Sequence, residues 1–251
     1  YAASLQVNSK LKAQPNVFFG HYLSYIKFEQ GTWNFYSTEK NGQQILDQIL
    51  HLLSIPTKKS FHLTQPCTST WDQSAYKNAF DQVQTYIRAG DCYQINLTQE
   101  FTAKAYGHLI ETAEDFWHLT DVPYSSYLKI DDFEILSCSP ELFIDFEVNR
   151  KIITKPIKGT MPRHEDIELD QISKQSLIDS QKDQAENLMI VDLLRNDLSL
   201  YAETGSVQTP KLFAIESFNQ VHHMVSEVTA TLKQDINPLD VLLSALPGGS
   251  I

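Results

Sequence analysis

Hydrophobic and polar positions change period several times along the chain, and each change marks an element. Val17 to Phe28 is aromatic and β-rich. It passes through Glu29-Gln30-Gly31-Thr32 into Trp33-Asn34-Phe35-Tyr36, a pattern that predicts a hairpin. Residues 43–53 place apolar side chains at helical spacing, so a short amphipathic helix is expected there. Ile55 to Thr70 is rich in Pro, Ser, Thr and Lys and reads as a linker. From about Gln73, Tyr76, Phe80, Val83 and Ile87 share a helix face, and Gly90 suits the C-cap. Strict alternation over Tyr93–Phe101 predicts a half-buried strand with Gln94, Asn96 and Thr98 on its polar face.

Further on, residues 108–120 look helical. Three β-runs follow at Ser126–Ile130, Phe133–Cys138 and Leu142–Glu147. The last turns at Val148-Asn149-Arg150 into Lys151-Ile152-Ile153-Thr154, a strand expected to end near Lys158. Glu165 to about Asp197 is the longest helical stretch, broken once. β-runs at Ser206–Gln208, Leu212–Phe218 and Val221–Leu232 precede a helix near Pro238–Leu246. Strands with helices grouped between them predict an α+β fold of mostly antiparallel sheet.

Composition narrows the function classes. The chain has 251 residues, 42% hydrophobic, enough for a sizeable core in one large domain or two small ones. A net charge of -11 argues against general nucleic-acid binding, so an anionic substrate would need a local cationic pocket. The 3 cysteines, Cys67, Cys92 and Cys138, form no CxxC pair; a reducing, cytoplasmic setting fits them. No apolar run of about 18 residues is present to span a membrane. The start at Tyr1 and the Gly-Gly-Ser finish both read as cut ends.

Four groups of residues could carry chemistry. Lys158, between a β-run and a Gly-Thr turn, is a candidate nucleophilic amine or simply a solvated turn residue. Glu141 precedes one strand of a hairpin and Lys158 follows the other, which brings acid and amine to the same end. Asp179, Asp183 and Glu186 lie at i, i+4 and i+7. They form either a solvated acidic stripe or a magnesium site, and Glu186 adjoins a run that is apolar almost all round. In Val221-His222-His223-Met224-Val225, alternation puts His223 on the inward face and His222 outside the site. Gly248-Gly249-Ser250 could offer backbone N–H groups to an anion, or be a flexible end.

Six blocks occur in order: Gly90 to Leu97, Ser139-Pro140-Glu141, Pro156-Ile157-Lys158-Gly159-Thr160, Glu186 to Asp197, His222 to Ser226, and Pro247 to Ile251. Together they closely resemble the chorismate-utilising enzymes from about residue 17 onward. The resemblance implies two packed, mostly antiparallel sheets with helices outside, here truncated at both ends. It implies one chorismate-binding catalytic domain over 1–251. Residues 1–70 would be its N-terminal sheet portion and linker, and 71–251 its core motifs. It further implies Mg2+, Lys158 as nucleophile at ring carbon C2, and Glu141 as general acid/base at the 4-hydroxyl. Glu186 and Asp183 would serve the metal. Gln94, Gly159, Thr160, His223, Gly248, Gly249 and Ser250 would contact substrate.

Two positions point to a branch. Anthranilate-forming members of the family carry alanine where Lys158 stands, and water-using members carry lysine where Gln94 stands. The resemblance is therefore nearest to the branch that aminates chorismate at C4, with ammonia from a glutamine amidotransferase partner. The alternatives are an anthranilate-type aminase and a non-catalytic domain. Ser199-Leu200 depart from the Gly-Arg that the family carries in that region.

Overall fold

The computed structural model describes residues 18, 20–56, 59–92, 94–246 and 248. The expected hairpin is β1 (Ser24–Glu29) with β2 (Thr32–Ser37). Gln30 and Gly31 both take positive φ, 51° and 80°, as a two-residue turn matched to strand twist requires. The amphipathic helix is α1 (Gly42–Leu53). Next come β3 (His62–Leu63), β4 (Thr68–Ser69), α2 (Gln73–Ala89), β5 (Phe101–Thr102) and β6 (Ala105–Tyr106). Asp72 caps the start of α2, and Gly90 ends it in the left-handed conformation at φ 80°.

β3 pairs with β6 and β4 with β5, so short ladders run through the stretch that composition marked as linker. Residues 94–100 form no strand, although their alternation predicts one. Alternation encodes a face, whereas a strand also needs a partner ladder, and no described strand pairs with them. Tyr93 lies outside the described residues.

α3 (Ile110–Thr120) leads into a second hairpin, β7 (Tyr124–Ile130) with β8 (Phe133–Ser139). Then come β9 (Leu142–Phe146), a tight turn at Val148–Arg150, β10 (Lys151–Lys155), β11 (Ile157–Pro162), α4 (Ile167–Ile178), α5 (Gln181–Ser199), β12 (Gln208–Ser217), β13 (Val221–Thr231) and α6 (Pro238–Ser244). Every ladder among the described residues is antiparallel, in keeping with the α+β class.

The main sheet is built around β13. β12 lies on one side of it. On the other side β10 and β11 lie end to end, with β9 beyond β10. Pro156 separates β10 from β11 because it has no N–H, yet the Ser226 N–H still donates to its carbonyl at 3.1 Å. Register therefore continues across the proline, from Thr154 opposite Val228 to Ile157 opposite Val225. It then slips by one residue: Thr160 stands opposite His223. The extra residue falls at Lys158-Gly159, a β-bulge with Gly159 at φ 90°. Lys158 thus sits inside a strand, not at a strand's end as the pattern suggested.

One face of this sheet is covered by helices. Ile152, Val228, Ala230 and Leu232 pack with Val191, Leu198, Ala202 and Val241. On β13 the buried residues include His222, Met224, Ser226, Val228 and Ala230. The helix-covered face therefore belongs to His222, and His223 points the other way; this reverses the sequence assignment of the inward side. α5 buries one stripe, Asn187, Ile190, Val191, Leu194 and Leu198, while Leu188 and Leu193 are exposed. Its apolar composition had suggested burial all round. Asn187 is 0% exposed; its Nδ2 donates to the Met224 carbonyl at 3.2 Å and its Oδ1 accepts from Ser226 Oγ at 2.5 Å. That exchange fastens α5 to β13.

Candidate active site

The bulge on β11 collects most of the expected site residues. Glu141 sits in the Pro140 turn between β8 and β9, where its N–H meets Ser139 Oγ at 3.3 Å. Its Oε1 accepts the Ile157 N–H at 2.9 Å, which places the carboxylate one residue from Lys158. The hairpin argument from the sequence expects acid and amine at the same end; this bond brings the Glu141 carboxylate to the backbone of the residue before Lys158.

Beyond the bulge, Thr160 Oγ1 and His223 Nδ1 lie 2.9 Å apart across the ladder. The Phe218 ring tilts against His223 with centroids 5.7 Å apart. Nothing in the sequence singled out Phe218, because only the β12–β13 turn brings it there. Burial pushes the His223 imidazole below the ordinary histidine value of 6.5; a backbone hydrogen bond to Gly159 and the nearby Glu141 and Glu216 carboxylates pull the other way. The ring is expected to stay neutral at pH 7 and to titrate below 6.5 by NMR. The sign follows: stability linked to this ring is full above the unfolded value and falls as pH drops through the folded one. A His223 midpoint above 6.5 would contradict this.

The acidic residues divide differently from the expected stripe. Asp179 caps the C-terminus of α4, and Ser180 starts α5, so Asp179 is not on one helix face with the others. A side-chain cap at Ser180 competes with helix continuation and makes the break. Asp183 lies in the first turn of α5, where its Oδ2 accepts from Ser180 Oγ at 2.6 Å. It packs directly under the bulge: a Cβ built on Gly159 would lie 2.8 Å from Asp183 Cβ. Glu186 lies one turn further, its side chain 40% exposed, 3.3 Å from Lys182 Nζ. Glu186 and Gln94 line one recess of ≈ 230 Å3 with Ala185 and Met189.

No cluster of three or more His, Cys, Asp or Glu side chains able to hold a metal occurs among the described residues. The donor set itself suits a hard ion. Magnesium is commonly held by one or two carboxylates, with waters and substrate oxygens completing its shell. The half-exposed Glu186 fits that role, with Asp183 one turn away on the same helix. Gly248 approaches β9, where an added Cβ would meet Phe143 Cε2 at 3.0 Å. Gly249 and Ser250 lie outside the described residues.

Comparison with known proteins agrees with this architecture. A sequence profile of the family described as chorismate binding enzyme matches residues 1–251. Aminodeoxychorismate synthase component 1 of Salmonella typhimurium is 46% identical over 196 residues, 78% of this chain and 43% of that protein. The Escherichia coli protein of the same name is 44% identical over 194 residues, 77% of this chain and 43% of its own length. Anthranilate synthase component 1 of Bacillus subtilis is 36% identical, over 73% of this chain and 36% of that protein. The chain thus spans less than half the length of these relatives. The crystal structure of anthranilate synthase component I from Streptococcus pneumoniae superposes with a TM-score of 0.78 at 26% identity. That match covers 91% of this chain and 53% of the other.

Proposed function

The chain belongs to the chorismate binding enzymes, and on that premise we propose that it carries the catalytic motifs of an aminodeoxychorismate synthase component I. The reaction is amination of chorismate at C4. The observation that carries this reading is the Glu141–Ile157 hydrogen bond, which sets an acid beside Lys158 at the bulge.

In the proposed sequence the Lys158 amine nitrogen forms a bond to ring carbon C2. The two conjugated ring double bonds each shift one position away from C2, and the C4–oxygen bond breaks. Glu141 gives its proton to the departing hydroxyl, and water leaves. Ammonia then bonds to C4, the C2–lysine bond breaks, and the amine returns to Lys158. Glu141 recovers a proton from the entering ammonia, so the net change is hydroxyl for amine. Thr160 and the neutral His223 supply hydrogen-bonding groups to the substrate from the next pair of the ladder. Glu186 and Asp183 would hold Mg2+, which supplies charge neutralisation for a substrate carboxylate when bound. Gln94, in the recess with Glu186, stands where the water-using members of the family carry a lysine, which favours ammonia as nucleophile. Ammonia would come from a glutamine amidotransferase subunit, as the name "component 1" of the relatives accords with.

The direct test incubates the full-length protein with chorismate, Mg2+ and ammonium and identifies the product by mass. 4-Amino-4-deoxychorismate supports the reading; anthranilate formed without an added lyase overturns it. Glu186→Gln removes a charged metal oxygen. It is expected to raise the Mg2+ concentration giving half-maximal rate by about tenfold or more. An unchanged Mg2+ dependence removes Glu186 from the metal site.

A further inference from the structure

One polar network on the helix-covered side of the main sheet is not used by the proposed chemistry. Asp170 of α4 stands at its centre. Its Oδ1 accepts from Arg163 Nε at 2.8 Å and lies 3.1 Å from His222 Nε2; its Oδ2 lies 3.1 Å from the same Arg163 nitrogen. The His164 N–H adds a bond at 2.9 Å. The Arg163 guanidinium, then the His164 N–H and His222, hold this carboxyl well below the usual carboxylate range. His222 is 1% exposed, and its Nδ1 meets Ser217 Oγ of β12 at 2.8 Å. Arg163 also ties the β12–β13 turn, through its N–H to the Gln220 carbonyl at 3.0 Å and Nη1 to the Phe218 carbonyl at 2.9 Å.

The position of this network in the ladder matters. Arg163 follows the last residue of β11, and His222 is the second residue of β13. One carboxylate oxygen therefore bridges the two strands just past the bulge. A bulge is a count mismatch between strands, so its place is set by whatever fixes the pairing on either side of it. Ile157 is pinned on one flank by its pairing with Val225 and by Glu141. On the other flank, Met161 stands opposite His222, beside the carboxylate bridge.

We propose that Asp170 and His222 are positioning residues: they clamp the β11–β13 register beyond the bulge, which keeps Thr160 opposite His223 and Lys158 at the extra position. Their consequence for substrate rests on the amination reading above; the register claim does not. A slip of one residue would move the Thr160–Pro162 segment along β13 and part Thr160 from His223.

The test compares His222→Gln with His222→Leu in the full-length protein. Glutamine keeps a donor within reach of Asp170, and leucine fills the space without one. The first readout is the 15N and 1H resonances of the His223 ring, assigned by their loss in His223→Asn. Leucine is expected to shift them and glutamine to restore them. The second readout is kinetic: kcat/KM for chorismate is expected to fall about 10- to 100-fold in the leucine variant and to recover in the glutamine variant. If leucine prevents folding, Asp170→Asn, which keeps the side-chain volume, carries the same comparison. A lowered melting temperature with unshifted His223 resonances and unchanged kcat/KM would show only a stabilising pair and overturns the proposal. If no variant, nor the unaltered protein, turns over chorismate, the amination reading fails while the resonances still decide the register.

Discussion

Lys158→Ala, made in the full-length protein, abolishes formation of 4-amino-4-deoxychorismate from chorismate and ammonium. The expected loss in kcat is on the order of 10³-fold or more, because the substitution removes the bond-forming atom and not merely a contact. Product analysis by mass measures it. Intact mass of the unaltered protein, quenched with chorismate and Mg2+ in the absence of ammonia, should show an adduct that the alanine variant lacks. Turnover within about tenfold of the unaltered rate would sink the covalent route and leave direct attack by ammonia. The bulge gives this prediction its structural basis. Glu141 accepts the Ile157 N–H at 2.9 Å, one residue before position 158, and the extra residue of the bulge falls at Lys158-Gly159.

Gly159→Ala should be the most damaging small substitution in the same sheet. Two costs combine. At φ 90° any side chain is strained, and the new Cβ would lie 2.8 Å from Asp183 Cβ and 2.9 Å from Leu177 Cδ1. Gly205 separates them, since it has φ 79° with nothing within 4 Å of its added Cβ. Gly205→Ala is expected to lose about 1–2 kcal/mol from backbone strain alone. Gly159→Ala should lose a further 1–3 kcal/mol, roughly, from overpacking, as measured by urea unfolding. It should also lower amination, because relief of the clash pushes the first turn of α5, and with it Glu186, away from Lys158. Equal losses for the two variants would mean that β11 and α5 separate freely at this point.

Much of the local structure was legible in the chain. The Gln30-Gly31 turn, the Gly90 cap of α2, and the helices α3 to α6 follow from periodicity and capping chemistry. The approach of Glu141 to the chain just before Lys158 was also legible, because a hairpin brings its two ends together whatever else the fold does. Other features were not legible, each for a physical reason. Residues 94–100 alternate correctly but pair with no described strand, since a strand's partner is not written in the strand. The acidic stripe broke at Ser180 because a local side-chain cap outweighed helical spacing.

The sequence by itself determined which residues are available for the chemistry and most of the elements that bear them. Spacing and side-chain type suffice for that, because they act over a turn or two of chain. Only the tertiary structure decided how those residues face one another. Alternation in β13 says that His222 and His223 point opposite ways, but which of them lies under the helices depends on where α4 and α5 pack. The slip at Lys158-Gly159 is a mismatch between β11 and β13, so neither strand encodes it alone. The clamp at Asp170 joins residues from α4, β13 and the end of β11, whose proximity exists only once the sheet has formed.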